Sequence, residues 1–169
     1  MFGDIDRARV VALSATFIGL IAIGSWISIP FIPVPLTLQT LFILLAGCIM
    51  RRFAIIPVTL YVLLGAAGLP LFHNGMAGVG VLLGPTGGFL LGFIPAALIT
   101  GLAYEQPRRA IRIAGLAAST GMIYLCGIAW MAFSTGMGLA PAALIGMVPF
   151  IPGDAVKAYA AYRIAEQVA

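Results

Sequence analysis

Residues 10–50 read VVALSATFIGLIAIGSWISIPFIPVPLTLQTLFILLAGCIM and hold no charged side chain, with Arg9 before them and Arg51 and Arg52 after. A transmembrane helix needs roughly 20 apolar residues to cross a hydrocarbon core about 30 Å thick. The stretch is therefore long enough for two passes. Pro30, Pro33 and Pro35 divide it where a helix interior would not hold them. The reading is a helix over residues 10–29, a proline-rich connection, and a shorter helix over residues 36–50.

The pattern continues along the chain. Residues 53–104 carry no charge apart from the titratable His73, and a Gly-rich segment over 68–86, with Pro70 and Pro85, interrupts them. Residues 113–153 are again uncharged and are broken by Ser134, Thr135, Gly136, Gly138 and Pro141. Four more helices are expected, over residues 54–67, 86–103, 113–133 and 142–166. The second and third are short for a bilayer core, so mismatch or an interfacial turn is expected there. Composition agrees, with 62% hydrophobic and 8% charged residues against roughly 25% charged in soluble domains. The chain reads as an all-α integral membrane protein, a single domain over residues 1–169 with about six transmembrane helices. The apolar run after Arg7 and Arg9 is too long for a signal h-region and no small-residue cleavage site follows it, so it reads as a retained first helix.

Six passes put both termini and the second and fourth connections on one side. That side collects Arg7, Arg9, Arg51, Arg52, Arg108, Arg109, Arg112 and Arg163, whereas the other three connections carry no Lys or Arg. By the positive-inside rule the arginine side, with both termini, is cytoplasmic. The net charge of +4 is thus a topology signal, and its small scattered groups do not form a nucleic-acid surface. Cys48 and Cys126 stand alone in apolar runs, without metal or redox spacing. No ATP-binding motif or nucleophile with a base occurs, so the chain does not read as an enzyme. An intramembrane aspartyl protease would need a second acid beside Asp154, and Asp4, Asp6, Glu105 and Glu166 all fall at cytoplasmic ends.

Asp154 and Lys157 are the charges that membrane packing leaves unexplained. Each costs roughly 2.5–3.5 kcal/mol near a helix centre. Their spacing of three puts both on one helix face, where they either neutralise each other or share a polar ligand. Pro149, Pro152 and Gly153 just before them free backbone groups in the same place. The uncharged outer connections are rich in irregular apolar sequence, which suits a lid or pocket. His73 and Asn74 lie in one of them, either as turn and interfacial residues or as ligand contacts. Thr37, Gln39 and Thr40 open the second helix, and a Gln inside the membrane needs a partner in a pocket or on a neighbouring helix. Gly84, Gly88 and Gly92 read as a close-packing face, and Ala8 and Ala12 give the first helix a similar small face for another helix, within the chain or on a partner. Trp26, Phe31, Phe72, Tyr104 and Tyr124 serve as interface anchors or pocket walls.

Four ordered motifs carry a family resemblance: Pro33-Val-Pro-Leu-Thr-Leu-Gln-Thr40, Gly65-Ala-Ala-Gly-Leu-Pro-Leu-Phe72, Leu83-Gly-Pro-Thr-Gly-Gly-Phe89 and Pro149-Phe-Ile-Pro-Gly-Asp-Ala-Val-Lys157. Together they resemble the BioY family, the biotin-binding S components of energy-coupling factor transporters. The resemblance implies an S-component-like bundle in the cell membrane that captures biotin from outside. It implies work with a transmembrane coupling protein and two cytoplasmic ATPase subunits, with biotin as ligand and no cofactor. It implies that Asp154 and Lys157 match the family's acidic and basic binding positions, and that Asn74 is the candidate for an Asn contact in the third connection. Phe89 stands where the family commonly has Tyr, which removes a hydroxyl. Ala8 and Ala12 are similar to the alanine motif that meets the coupling protein. Biotin's ureido ring would suit Asp154, Lys157 and Asn74, with Thr37 and Gln39 as further candidate contacts and Phe31, Leu71 and Phe150 as apolar walls, while its valerate carboxylate needs a donor near the pocket mouth or Lys157 itself. The alternatives are an S component for another small vitamin and a membrane scaffold without ligand.

Overall fold

Where water is excluded, every backbone N–H and C=O must be satisfied within its own segment, so uncharged runs of this length become helices. The computed structural model of the chain describes residues 4–30 and 33–168, the side chains of residues 4–6 excepted. Its helices are α1 (Asp4–Trp26), α2 (Gln39–Met50), α3 (Ile55–Ala66), α4 (Val79–Leu83), α5 (Gly87–Tyr104), α6 (Arg109–Thr135), α7 (Leu139–Gly146) and α8 (Ile151–Val168).

The first connection is more ordered than its prolines suggest. Strand β1 (Ser28–Ile29) pairs antiparallel with β2 (Leu36–Thr37), Ser28 opposite Thr37 and Ile29 opposite Leu36. The first helix therefore ends three residues earlier than the sequence implies and the second begins three later. The Leu38 amide donates to the carbonyls of Gly24 and Ile27, at 2.9 and 3.3 Å, and ties the returning strand to the end of α1.

Between α2 and α3 the chain reverses. Arg51 takes φ 55° and ψ −138° and leads into a 3₁₀ turn, Arg51–Ala54. A straight helix would separate residues 39 and 61 by about 33 Å at 1.5 Å per residue. Instead the Gln39 amide Nε2 donates to Tyr61 Oη at 2.6 Å. Each leg has 12 residues, about 18 Å of helix, so neither alone matches a 30 Å hydrocarbon core. Among the described residues, four helical stretches suffice by length and apolarity alone to cross a membrane, over residues 7–26, 39–66, 87–104 and 109–135, and α7 with α8 makes a fifth. The reversal splits the second of these into two short legs. The helix expected over 142–166 is likewise two helices, α7 and α8, bent by 55° across the turn at residues 147–150. The third connection adds a 3₁₀ turn, His73–Gly75, and the short α4.

Glycine sets the closest helix pair. A Cβ at Gly88 would collide with Trp130 Cβ and the Cys126 carbonyl, and one at Gly92 would crowd Cys126 and Ile123, so α5 and α6 meet backbone to backbone. Gly84 lies outside this contact, and its carbonyl accepts from the Trp130 indole at 3.0 Å.

The arginines gather at one end. Arg52 binds Glu105 through both guanidinium and carboxylate pairs, at 2.6 and 2.9 Å, and Arg109 meets Glu166 at 2.7 Å. Arg112 sits 5.5 Å over the Tyr104 ring. Arg7 and Arg9 share a cleft here with Arg51 and the end of α8. Gly88→Ala is expected to lower stability by about 1–3 kcal/mol, whereas Gly80→Ala, where an added Cβ meets nothing within 4 Å, changes little. Thermal unfolding in detergent compares the two, and equal midpoints would contradict the close contact.

Candidate functional site

The break before α8 places Asp154 in that helix's first turn, where the free amide ends carry partial positive charge and favour a carboxylate. Pro152 and Gly153, which the sequence suggests as helix breakers, lie inside this first turn, a position that tolerates proline. Asp154 is 4% exposed. Its Oδ2 accepts from Tyr124 Oη of α6 at 2.6 Å, and its Oδ1 accepts from Thr40 Oγ1 of α2 at 3.0 Å and from Lys157 Nζ at 2.9 Å. Lys157 Nζ also donates to Thr40 Oγ1 at 3.1 Å. Three helices therefore converge on one carboxylate, and the hydrogen bonds offset the cost of holding a charged pair away from water.

A second polar network lies beside it. Thr37 Oγ1 donates to Gln39 Oε1 at 3.0 Å, Gln39 Nε2 donates to Tyr61 Oη, and Tyr61 Oη donates to the Leu71 carbonyl at 2.8 Å. The same carbonyl accepts from Ser25 Oγ of α1 at 2.7 Å. Gln39 thus finds its partner on a neighbouring helix and also faces the cavity.

Between the networks is a cavity of about 50 Å³, room for a few water molecules. Thr37, Gln39, Thr40, Thr86, Tyr124, Asp154 and Lys157 supply its polar wall, together with His73 from the chain's third connection. Phe89, Phe93, Ile123 and Phe150 supply its apolar wall. Phe89 packs onto Gly127, where a Cβ would overlap its ring.

Of the residues that the sequence singles out, Asp154, Lys157, Gln39, Thr37, Phe89 and Phe150 meet around this one cavity. Asn74 does not line it: the residue is exposed, holds φ 55°, and accepts from Ser28 Oγ at 2.9 Å. Its neighbour His73 takes the inward place. Phe31 lies outside the described residues. Ala8 and Ala12 are exposed on α1 toward the arginine end, away from the cavity. Trp26 is exposed and donates to the Pro70 carbonyl at 3.2 Å, and Phe72 is buried edge-on against Tyr61. The hydroxyls of Tyr61 and Tyr124 were not readable as partners of Gln39 and Asp154, because each lies on another helix at a separation without local periodicity.

An apolar helical bundle in which a buried Asp154 pairs with Lys157 beside an internal cavity is an integral membrane protein with an internal polar site. The chain belongs to the BioY family, whose sequence model matches residues 3–169. It is 38% identical to a probable biotin transporter BioY of Pyrococcus horikoshii, over 96% of this chain and 97% of that one. It is 40% identical to the biotin transporter BioY of Thermotoga maritima, over 93% and 94%. The fold is similar to the crystal structure of the S-component for biotin from an ECF-type ABC transporter, with TM-score 0.87 and 26% identity, covering 99% of this chain and 94% of that one.

Lys157→Met leaves the Asp154 carboxylate buried without its cation and is expected to cost about 3–5 kcal/mol. Adding Asp154→Asn should restore part of that loss. A double-mutant cycle on thermal unfolding measures it, and additive losses would show that the two groups do not act as a pair.

Proposed function

We propose that this chain is the membrane subunit that captures biotin for an ECF-type transporter. The observation that carries the reading is the Asp154–Lys157–Thr40–Tyr124 cluster bordering a cavity whose other wall is aromatic. Biotin offers two N–H donors and a carbonyl on its ureido ring, and a thioether ring and aliphatic stem that suit an apolar wall. Asp154 accepts from the ureido N–H groups, and Lys157 and Thr40 supply donors once the ligand joins their network. Names of relatives over nearly the whole chain support the same ligand.

The cavity of about 50 Å³ is smaller than the roughly 300 Å³ or more of ordinary small-molecule sites. Loading therefore moves the third connection, over residues 67–78, away from the bundle. The chain is a single transmembrane substrate-binding domain over residues 1–169 in the cell membrane. Its six legs are α1, α2, α3, α5, α6 and the α7–α8 pair. The arginine end with both termini faces the cytoplasm, and the site opens outward. A transmembrane coupling protein docks along α1 at Ala8 and Ala12, whose small side chains allow close helix approach, and two cytoplasmic ATPase subunits power release.

Purified protein should bind biotin and unfold at a higher temperature with it, and Asp154→Asn with Lys157→Ala should abolish both effects. A panel of other water-soluble vitamins should give no shift; a shift with another vitamin alone would replace biotin as the ligand. For topology, Gln167→Cys in a background with Cys48→Ala and Cys126→Ala should react with a membrane-impermeant thiol reagent only after the cells are opened. Labelling in intact cells would invert the orientation.

A further inference from the structure

His73 is 9% exposed, lines the cavity, and holds two ring nitrogens that are both buried with no hydrogen-bond partner. Such a group is expensive when buried, because an unpaired donor or acceptor away from water keeps its full desolvation penalty. Around it the charged pair, Tyr124 and Gln39 are already engaged with one another or with neighbouring helices. Lys157 is held by Asp154 and Thr40, Tyr124 by Asp154, and Gln39 by Tyr61 and Thr37. The backbone is specialised at the same place: Asn74 adopts φ 55° and Gly75 φ 72°, and the Phe72 amide donates to the Met76 carbonyl at 3.0 Å. This tight turn presents the side chain of residue 73 inward and that of 74 outward.

Resting on the biotin reading above, we propose that His73 receives the ligand's carboxylate, so that the acidic tail is read by the third connection while the Asp154 cluster reads the polar ring. A neutral imidazole offers one N–H donor, and a protonated one adds charge to it. Burial pulls the His73 pKa below its ordinary range, which favours the neutral ring before a ligand binds. A bound carboxylate favours the protonated form, and binding takes up a proton. The sign follows: the complex holds more protons than the free protein, so affinity rises as pH falls. The titratable groups facing the same cavity are Tyr124 on α6 and Asp154 and Lys157 on α8, with Tyr61 on α3 behind Phe72.

The experiment compares biotin with its uncharged amide on wild type, His73→Phe and His73→Gln, by calorimetry in detergent. His73→Phe should weaken biotin by about 10- to 100-fold and leave the amide unchanged, while unfolding at the same or a higher temperature without ligand, since two unpaired polar atoms are gone. Wild type should bind biotin more tightly at about pH 5.5 than at about pH 8, and His73→Gln should keep a donor but lose this dependence. Unchanged biotin affinity in His73→Phe, or equal losses for biotin and its amide, would overturn the assignment. If His73→Phe fails to fold, a pH profile of His73→Gln identical to wild type would do so. Wild-type protein that binds no biotin at all would instead remove the binding reading, and this one with it.

Discussion

A carboxylate that must stay out of water organises this bundle. Asp154 can remain buried only if its oxygens are filled, and they are filled by groups from α2, α6 and α8. Lost solvation of an ion is worth several kcal/mol even after relaxation. The requirement therefore fixes how Thr40, Tyr124 and Lys157 meet, and with them the rotation of three helices about their axes. Lipid chains are as apolar as Leu, so hydrophobicity gives little guidance about which helix faces meet inside a membrane. Here polar complementarity does that work.

The neighbouring network does the same for the other half of the molecule. Gln39, Tyr61, the Leu71 carbonyl and Ser25 connect α2, α3, the third connection and α1 in one chain of bonds. It holds the short α2–α3 hairpin shut and brings the Gly65–Phe72 contact into register, the Phe72 ring lying where a Cβ at Gly65 would stand. The cavity is what remains between two polar networks that do not touch.

The two ends of the bundle carry different electrostatics. At the arginine end, ion pairs such as Arg52 with Glu105 are exposed and screened, and surface pairs of this kind contribute little. Glu105 is held below the usual carboxylate range by the Arg52 guanidinium beside it. At the other end the pair is buried and closes on a cavity. A polar cavity at one end and arginine-rich loops at the other suit the proposed subunit, which takes solute from one side and is driven from the opposite one.

The membrane class, the uncharged connections and the candidate pair at Asp154 and Lys157 were legible in residues 1–169 alone, because exclusion from water acts on composition and charge position without reference to neighbours. Gln39 was legible as a residue that needs a partner, but Tyr61 as that partner was not. The break between two helices at Arg51 and Arg52 was legible as well, since the paired charges end one apolar run and begin the next. Only the tertiary structure decided that Gln39 and Tyr61 close the hairpin of those two helices, that residues 142–166 form two helices, and that His73 faces the cavity while Asn74 faces Ser28. Each depends on a backbone dihedral or a bond between distant segments: the left-handed turn at Asn74, the bend between α7 and α8, the tyrosine hydroxyls reaching across helices. Local periodicity and charge spacing carry no information about such contacts, since they arise only when separate helices are packed together.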